Sequence, residues 1–241
     1  MIAMLEKEKP SDGVDHLLWY VGNKNDNMKR GEKVINTGKR GELAETMKQY
    51  SAAITEGEYG MSNANGFGSV AVALGDNGVA RTSANNSIAS ATGPNGTACA
   101  KERHSVAVST GLEGLACTAG VRSFAVADGF RSRAVAEGDF SLAVASGYQS
   151  SATALGAGSI AMALGDSAVA KGRVGTMLIF AERDNWGDAD PKIKNFLSVR
   201  VDGETVLADT PYMLVDGRLT RVAGKTLAPK IAFREGNDSA F

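Results

Sequence analysis

Alanine returns every nine residues for twelve consecutive beats, from Ala71, Ala80 and Ala89 through to Ala152, Ala161 and Ala170. A glycine stands five residues ahead of ten of these twelve alanines, and Ala84 and Glu102 hold the other two positions. A period this strict requires stacked, near-identical units that each touch only their neighbours. It argues against an enzyme pocket within the stretch, because a pocket needs convergent and dissimilar side chains.

A second period, twice as long, lies over the first. One half-unit reads like Ser69-Val70-Ala71-Val72-Ala73, and its serine recurs at Ser87, Ser105, Ser123, Ser141 and Ser159. Five-residue strands between glycine-containing turns are the natural reading. Side chains alternate across a strand, so the alanines share one face and their flanking residues share the other. Alanine at every inward position demands a very narrow interior. The expectation is an all-β chain dominated by a flattened parallel β-roll (a solenoid) with two strands per coil. Six 18-residue coils at about 4.8 Å each give a height near 29 Å. Glycine is expected to supply the positive φ of each corner, and serine hydroxyls to satisfy turn backbone groups.

The outward faces differ. Before the alanine of the first strand stand Val70, Ile88, Val106, Phe124, Leu142 and Ile160; after it stand Val72, Ser90, Val108, Val126, Val144 and Met162. Eleven of these twelve are apolar, on a face that an isolated roll would expose. The second strand is mixed there, with Arg81, Arg133 and Lys171 beside Val79 and Leu115. A continuous apolar ladder marks an association surface, so the eleven apolar residues are the expected trimer interface of a closed cyclic assembly. Cover by the chain's own flanking segments is the competing reading.

Outside the array the composition changes. Residues 1–65 are expected to form a mixed N-terminal docking or cap region. Within it, Leu43, Met47, Tyr50 and Ile54 suit a short amphipathic helix over 42–54. Residues 66–172 are the β-roll array, 173–222 a small antiparallel β cap with Asp-Gly turns at 202–203 and 216–217, and 223–241 a tail. Cys99 and Cys117 are separated by one full double period, so they should stack on adjacent coils. That spacing fits no zinc motif, and two small thiols in a reducing compartment are expected in preference to a disulfide. The start MIAMLEKEKP does not read as a secretory signal, and no apolar run is long enough to span a bilayer. The formal net charge is −1, which gives no electrostatic case for nucleic acid.

The S-φ-A-φ-A-x-G units, clearest from Gly120 to Gly147 and from Gly156 to Ala170, resemble the head repeats of YadA-like trimeric autotransporter adhesins. The resemblance covers residues 66–172. It implies a left-handed parallel β-roll that trimerises through one outward face. Against that family's pattern, no secretion signal, heptad stalk or terminal set of membrane strands is expected from this sequence, although it ends in Phe241. A self-secreting surface adhesin is therefore not expected. The segments Gly175–Asp184, Val199–Gly203 and Tyr212–Gly217 resemble the end of phage and prophage proteins that carry the same repeats, which implies a viral setting.

Chemistry-bearing motifs are few. His16 and His104 are isolated in sequence. Gly224-Lys225-Thr226 lacks the phosphate-loop glycine, since Leu219 stands there. Glu182, Asp184, Asp188 and Asp190 could hold a hard cation but match no EF-hand loop, and the basic stretch from Lys24 to Arg40 is interrupted by Asp26 and Glu32. No catalytic residue, cofactor or metal is expected. The function expected is a non-enzymatic structural protein, a trimeric β-roll appendage of a phage particle such as a head or tail fibre or decoration protein. Its partners would be its own copies and other virion proteins, with no nucleic acid and no membrane insertion, and it would be assembled in the host cytoplasm. The alternative is an intracellular solenoid that engages a host protein. A secreted adhesin or ice-binding surface ranks lower, because Thr82, Thr97, Thr118 and Thr153 make no regular threonine face.

Overall fold

The computed structural model describes residues 19–20, 32–36, 40–183 and 192–222. Regular structure among them is entirely β. The first strands are β1 (Trp19–Tyr20), β2 (Glu32–Asn36), β3 (Leu43–Thr46), β4 (Ala52–Thr55) and β5 (Met61–Ala64). The repeat supplies β6 (Val70–Leu74), β7 (Val79–Thr82), β8 (Ile88–Thr92), β9 (Thr97–Ala100), β10 (Val106–Thr110) and β11 (Leu115–Thr118). It continues with β12 (Phe124–Asp128), β13 (Arg133–Ala136), β14 (Leu142–Ala145), β15 (Ser151–Ala154), β16 (Ile160–Ala163) and β17 (Val169–Gly172). After it come β18 (Met177–Arg183), β19 (Ile193–Arg200), β20 (Tyr212–Val215) and β21 (Arg218–Arg221).

Even-numbered strands from β2 to β18 stack in one sheet and odd-numbered strands from β3 to β17 in the other. The pairing is parallel, and within the repeat its register is the sequence period: Val70 pairs with Ile88, Ile88 with Val106, and Val106 with Phe124. Each even–odd strand pair is one coil. Eight coils run from β2/β3 to β16/β17, two more than the repeat alone suggests, for a height of roughly 38 Å. All twelve periodic alanines are buried at 0–1% exposure. Their ladder continues upstream at the same spacing through Ser62, Ala53 and Ala44, each at 0%.

The helix expected over 42–54 does not form; β3, a turn and β4 occupy that segment. Leu43, Met47, Tyr50 and Ile54 do share a helical spacing, but Ala44 and Ala53 sit on the nine-residue beat, and stacking on β5 and β6 supplies hydrogen bonds that a lone helix face cannot match. Leu43, Met47 and Tyr50 are exposed.

The turns correct the role expected of glycine. The left-handed corner recurs two residues after the periodic glycine position, and non-glycine residues mostly fill it: Asn77, Asn86, Asn95, His104, Glu113, Arg122 and Arg131 have φ of 54–57°. A left-handed backbone costs an L-residue about 1–2 kcal/mol. Corner hydrogen bonds between coils offset that cost, such as Asn77 N–H to the Pro94 carbonyl (2.8 Å) and Arg122 N–H to the Asp139 carbonyl (2.9 Å). The periodic glycine is needed chiefly for close approach. A Cβ at Gly93 would lie 2.6 Å from the Gly75 carbonyl oxygen, and one at Gly156 would overlap that of Gly138.

The strand-start serines form an internal ladder. The hydroxyls of Ser69, Ser105, Ser123, Ser141 and Ser159 each accept the N–H of the serine one coil earlier, as in Ser141 N–H to Ser159 Oγ (2.9 Å) and Ser123 N–H to Ser141 Oγ (3.1 Å). The same hydroxyls donate to a carbonyl 21 residues back, Ser159 to Gly138 (3.0 Å) and Ser141 to Gly120 (3.1 Å). The buried serine hydroxyls are thereby satisfied, whereas the buried hydroxyls of Thr82 and Thr118 have no hydrogen-bond partner among the described residues.

Beyond β17 the interior widens. β18 lies parallel to β16 but antiparallel to β19, and the β20–β21 hairpin adds to the odd sheet. Leu178, Phe180, Val201, Val206, Tyr212 and Leu219 fill this end, all at 0–2% exposure. The Asp216–Gly217 turn joins the hairpin with positive φ at both residues, as a two-residue connection requires. Asp202–Gly203 is not a hairpin turn. Asp202 instead opens a loop in which its carboxylate accepts the N–H groups of Glu204, Thr205 and Val206, each at 2.9 Å.

Cys99 and Cys117 do stack on adjacent coils, and they are joined as a disulfide, against the expectation of free thiols. In-register pairing of β9 with β11 places their α-carbons 4.7 Å apart. That lies within the span a disulfide bridges, and both side chains point to the same outer face.

Candidate functional site

The outer face of the even sheet carries the ladder. Its first column runs Val70, Ile88, Val106, Phe124, Leu142 and Ile160 through direct pairings, and its second runs Val72, Ser90, Val108, Val126, Val144 and Met162. The structure therefore gathers all eleven apolar positions on one surface. Most are half-buried by their ladder neighbours, while Ile88 and Phe124 remain 42% and 47% exposed.

Four further apolar residues extend the columns. Ile35 and Ile54 precede Val72, whereas Met177 and Ile179 follow Ile160 and Met162. Ile54 keeps the step of the repeat. Ile35 lies one residue farther from Ile54 than that step, and Met177 and Ile179 each lie one residue nearer to their partners. These single-residue slips break the period where a strict repeat search stops. Polar residues close the ladder: Lys33 pairs with Ala52 at one end, and Arg200 and Ser198 pair with Met177 and Ile179 at the other.

The odd sheet is different outside. One column reads Met61, Val79, Thr97, Leu115, Arg133, Ser151 and Val169; the next reads Asn63, Arg81, Cys99, Cys117, Val135, Thr153 and Lys171. Charges interrupt both columns, and no continuous apolar surface results.

The remaining candidate residues scatter. Glu182 is a structural acceptor: its carboxylate takes hydrogen bonds from the Asn195 side chain (2.7 Å) and from the N–H groups of Asp216 and Gly217 (2.9 Å each). Partial burial opposes its ionisation, but these hydrogen bonds and nearby Lys194 outweigh it and hold its pKa below the ordinary value. Asp184, Asp188, Asp190, Lys225 and His16 lie outside the described residues, and no metal-holding group of acidic, His and Cys side chains occurs among those described. Of the basic stretch, Arg40 stacks over Tyr59 and pairs with Glu58 at 3.9 Å. His104 occupies a left-handed corner beside a shallow concavity of about 270 Å³ lined by Arg103, Val121, Arg122 and Phe140. No helix among the described residues is long and apolar enough to cross a membrane.

The most extensive organised surface is thus the apolar outer face of the even sheet. Comparison with protein-family models, curated proteins and solved structures finds no match to the chain, so a functional reading rests on that face and on the repeat itself.

Proposed function

We propose that the chain is a non-enzymatic structural protein that works as a homotrimer, with the even-sheet faces of three copies turned toward a common axis. One observation carries this reading: the roll has an interior of alanine, serine and threonine, while eleven apolar side chains from Val70 to Met162 form a continuous outward ladder on one sheet. Burying eleven such side chains contributes roughly 1–2 kcal/mol each. The likeness of the repeat to YadA-like heads supports three as the number of copies. The likeness of the following segment to phage and prophage proteins supports a particle setting, as a head or tail fibre or a decoration element that acts as a rigid spacer or display surface.

The test is the mass of the full-length chain in solution by sedimentation or light scattering. Three times 25.0 kDa is expected, and a monomer at micromolar concentration overturns the reading. Phe124→Asp and Leu142→Asp should each dissociate the assembly, whereas Arg133→Asp on the odd sheet should leave the mass unchanged. Detection of the protein in purified particles at a copy number divisible by three would support the particle role. Stoichiometric capture of a host protein, with none in particles, would favour an intracellular binding module.

A further inference from the structure

The two rims of the apolar face differ in charge. The turns leading into the even strands form one rim, and the turns leaving them form the other. From β4 to β16 the leaving rim carries Glu56, Glu58, Asp76, Glu113, Asp128 and Asp166 against a single cation, Arg131. The entering rim carries its cations on coils where the leaving rim holds a carboxylate, although Arg131 balances Asp128 on the coil of β12. Lys48 lies level with Glu56 and Glu58, on the coil of β4. Arg103 lies level with Glu113 on the coil of β10, and Arg122 with Asp128 on the coil of β12. On the coil of β14 the signs change places in part: the entering turn holds Glu137 and Asp139, and the leaving turn, with Ser146, Tyr148 and Gln149, holds no acid. Glu102 and Arg131 reduce the contrast on their own rims, so the rims are opposite in net charge at the heights of β4 and β10, and elsewhere from β4 to β16 at least one rim is neutral.

Pairs at one height cannot meet within one chain. Arg122 and Asp128 are separated by the full width of a strand, roughly 15–20 Å for six extended residues. Among the described residues the guanidinium groups of Arg103 and Arg122 have no ion pair or hydrogen bond, and both flank the concavity beside Phe140. Glu113 reaches only Arg131, at 3.9 Å and exposed on both sides.

We infer that the rims are the contacts between neighbouring copies, with Arg103 and Arg122 of one copy set against Glu113 and Asp128 of the next, and that they fix the copies in parallel and in register. This rests on the trimer proposed above. Three flat faces around an axis parallel to the solenoid bring the entering rim of each copy against the leaving rim of the next at equal height. Inverting one copy would bring acidic rim onto acidic rim. Like-charge juxtaposition of that kind disfavours the wrong arrangement more than the correct pairs strengthen the right one.

Charge reversal tests the arrangement on the full-length chain, followed by sedimentation and by far-UV dichroism as a fold control. Arg103→Glu with Arg122→Glu should weaken trimerisation by roughly 10–100-fold, because each exposed pair is modest but occurs three times per trimer. Glu113→Arg with Asp128→Arg should do the same. All four together restore opposite signs across every contact and should recover most of the loss. Raising salt from 50 to 500 mM should weaken the wild-type trimer and have less effect on a chain with Arg103, Arg122, Glu113 and Asp128 all replaced by Gln. A wild-type monomer sinks the trimer itself. A wild-type trimer that ignores both double reversals, or a fourfold swap that folds but fails to recover, overturns the rim pairing and leaves the apolar face standing. If the fourfold swap does not fold, a salt-insensitive wild-type trimer overturns the pairing instead.

Discussion

The coils and the end that closes them reach a buried interior by opposite means. Inside the coils the largest buried side chains are threonines such as Thr55, Thr82 and Thr118, and nearly everything else is alanine or serine. Across the next strands the interior holds Phe180, Tyr212, Leu178 and Val206. The cap therefore gains stability from side chains inside, as a small globular domain does. The coils gain it from backbone stacked on backbone and, in the trimer proposed above, from apolar side chains placed outside. A fold of the second kind is intolerant of added atoms within.

The sharpest way to break that contrast is to add a side chain where backbones touch. Gly156→Val places a Cβ into the Gly138 carbonyl oxygen, and no rotamer relieves a Cβ–backbone collision. The expected loss is about 5 kcal/mol or more, read as a collapse of the denaturation midpoint, with amides of β14 to β17 losing hydrogen-exchange protection first. A loss below about 1 kcal/mol would mean that the coils are looser than their stacking implies. In the cap the corresponding change is subtraction. Phe180→Ala should cost about 3–4 kcal/mol and expose amides of β18 to β21 while β6 to β13 stay protected, because repeat units fray from their ends.

The same contrast explains how much of the fold is legible in the sequence. The alanine beat dictates the two-strand coil, its register and its outward ladder, because one small residue at a fixed interval admits few packings. The beat is also present at Ala53 and Ala44, but the helical spacing of Leu43, Met47, Tyr50 and Ile54 competes with it. Local periodicity cannot weigh the hydrogen bonds that a neighbouring coil supplies. Glycine offers two explanations, conformational freedom and close approach, and only the placement of Gly75 beneath Gly93 separates them. In the cap Phe180 and Tyr212 come from strands β18 and β20, with no period linking them. On the candidate interface, the single-residue slips that bring in Ile35 and Met177 have no local signature.

A smaller effect separates the outer faces. The Cys99–Cys117 bridge closes an 18-residue loop on the odd sheet, where no apolar ladder ties coil to coil. Cys99→Ser should cost about 2–3 kcal/mol under oxidising conditions, and the variant and the wild type should unfold alike once a reductant is present. Equal stability without reductant would show that the cysteines are unbridged in solution and that stacking alone holds β9 to β11.

The smallest effect expected sits where the cap hairpin meets β18. Glu182 accepts the Asp216 and Gly217 N–H groups at 2.9 Å each, and its pKa lies below the ordinary 4.5. A lowered folded-state pKa means that the ionised form is favoured by folding. Its contribution is present above about pH 4.5 and is lost as pH falls through the lower folded value. Because the group is largely open to solvent, less than about 1 kcal/mol is at stake. Asp202 is held low as well by its three N–H donors, so the wild-type curve contains both groups, and the difference between wild type and Glu182→Gln isolates one. That difference should shrink between pH 5 and pH 3, with the hairpin-turn amides of Asp216 and Gly217 exchanging faster in the variant at pH 5. A difference that instead grows on acidification would mean that the protonated carboxyl is the form the hairpin prefers, and that the turn is held by something other than these two hydrogen bonds.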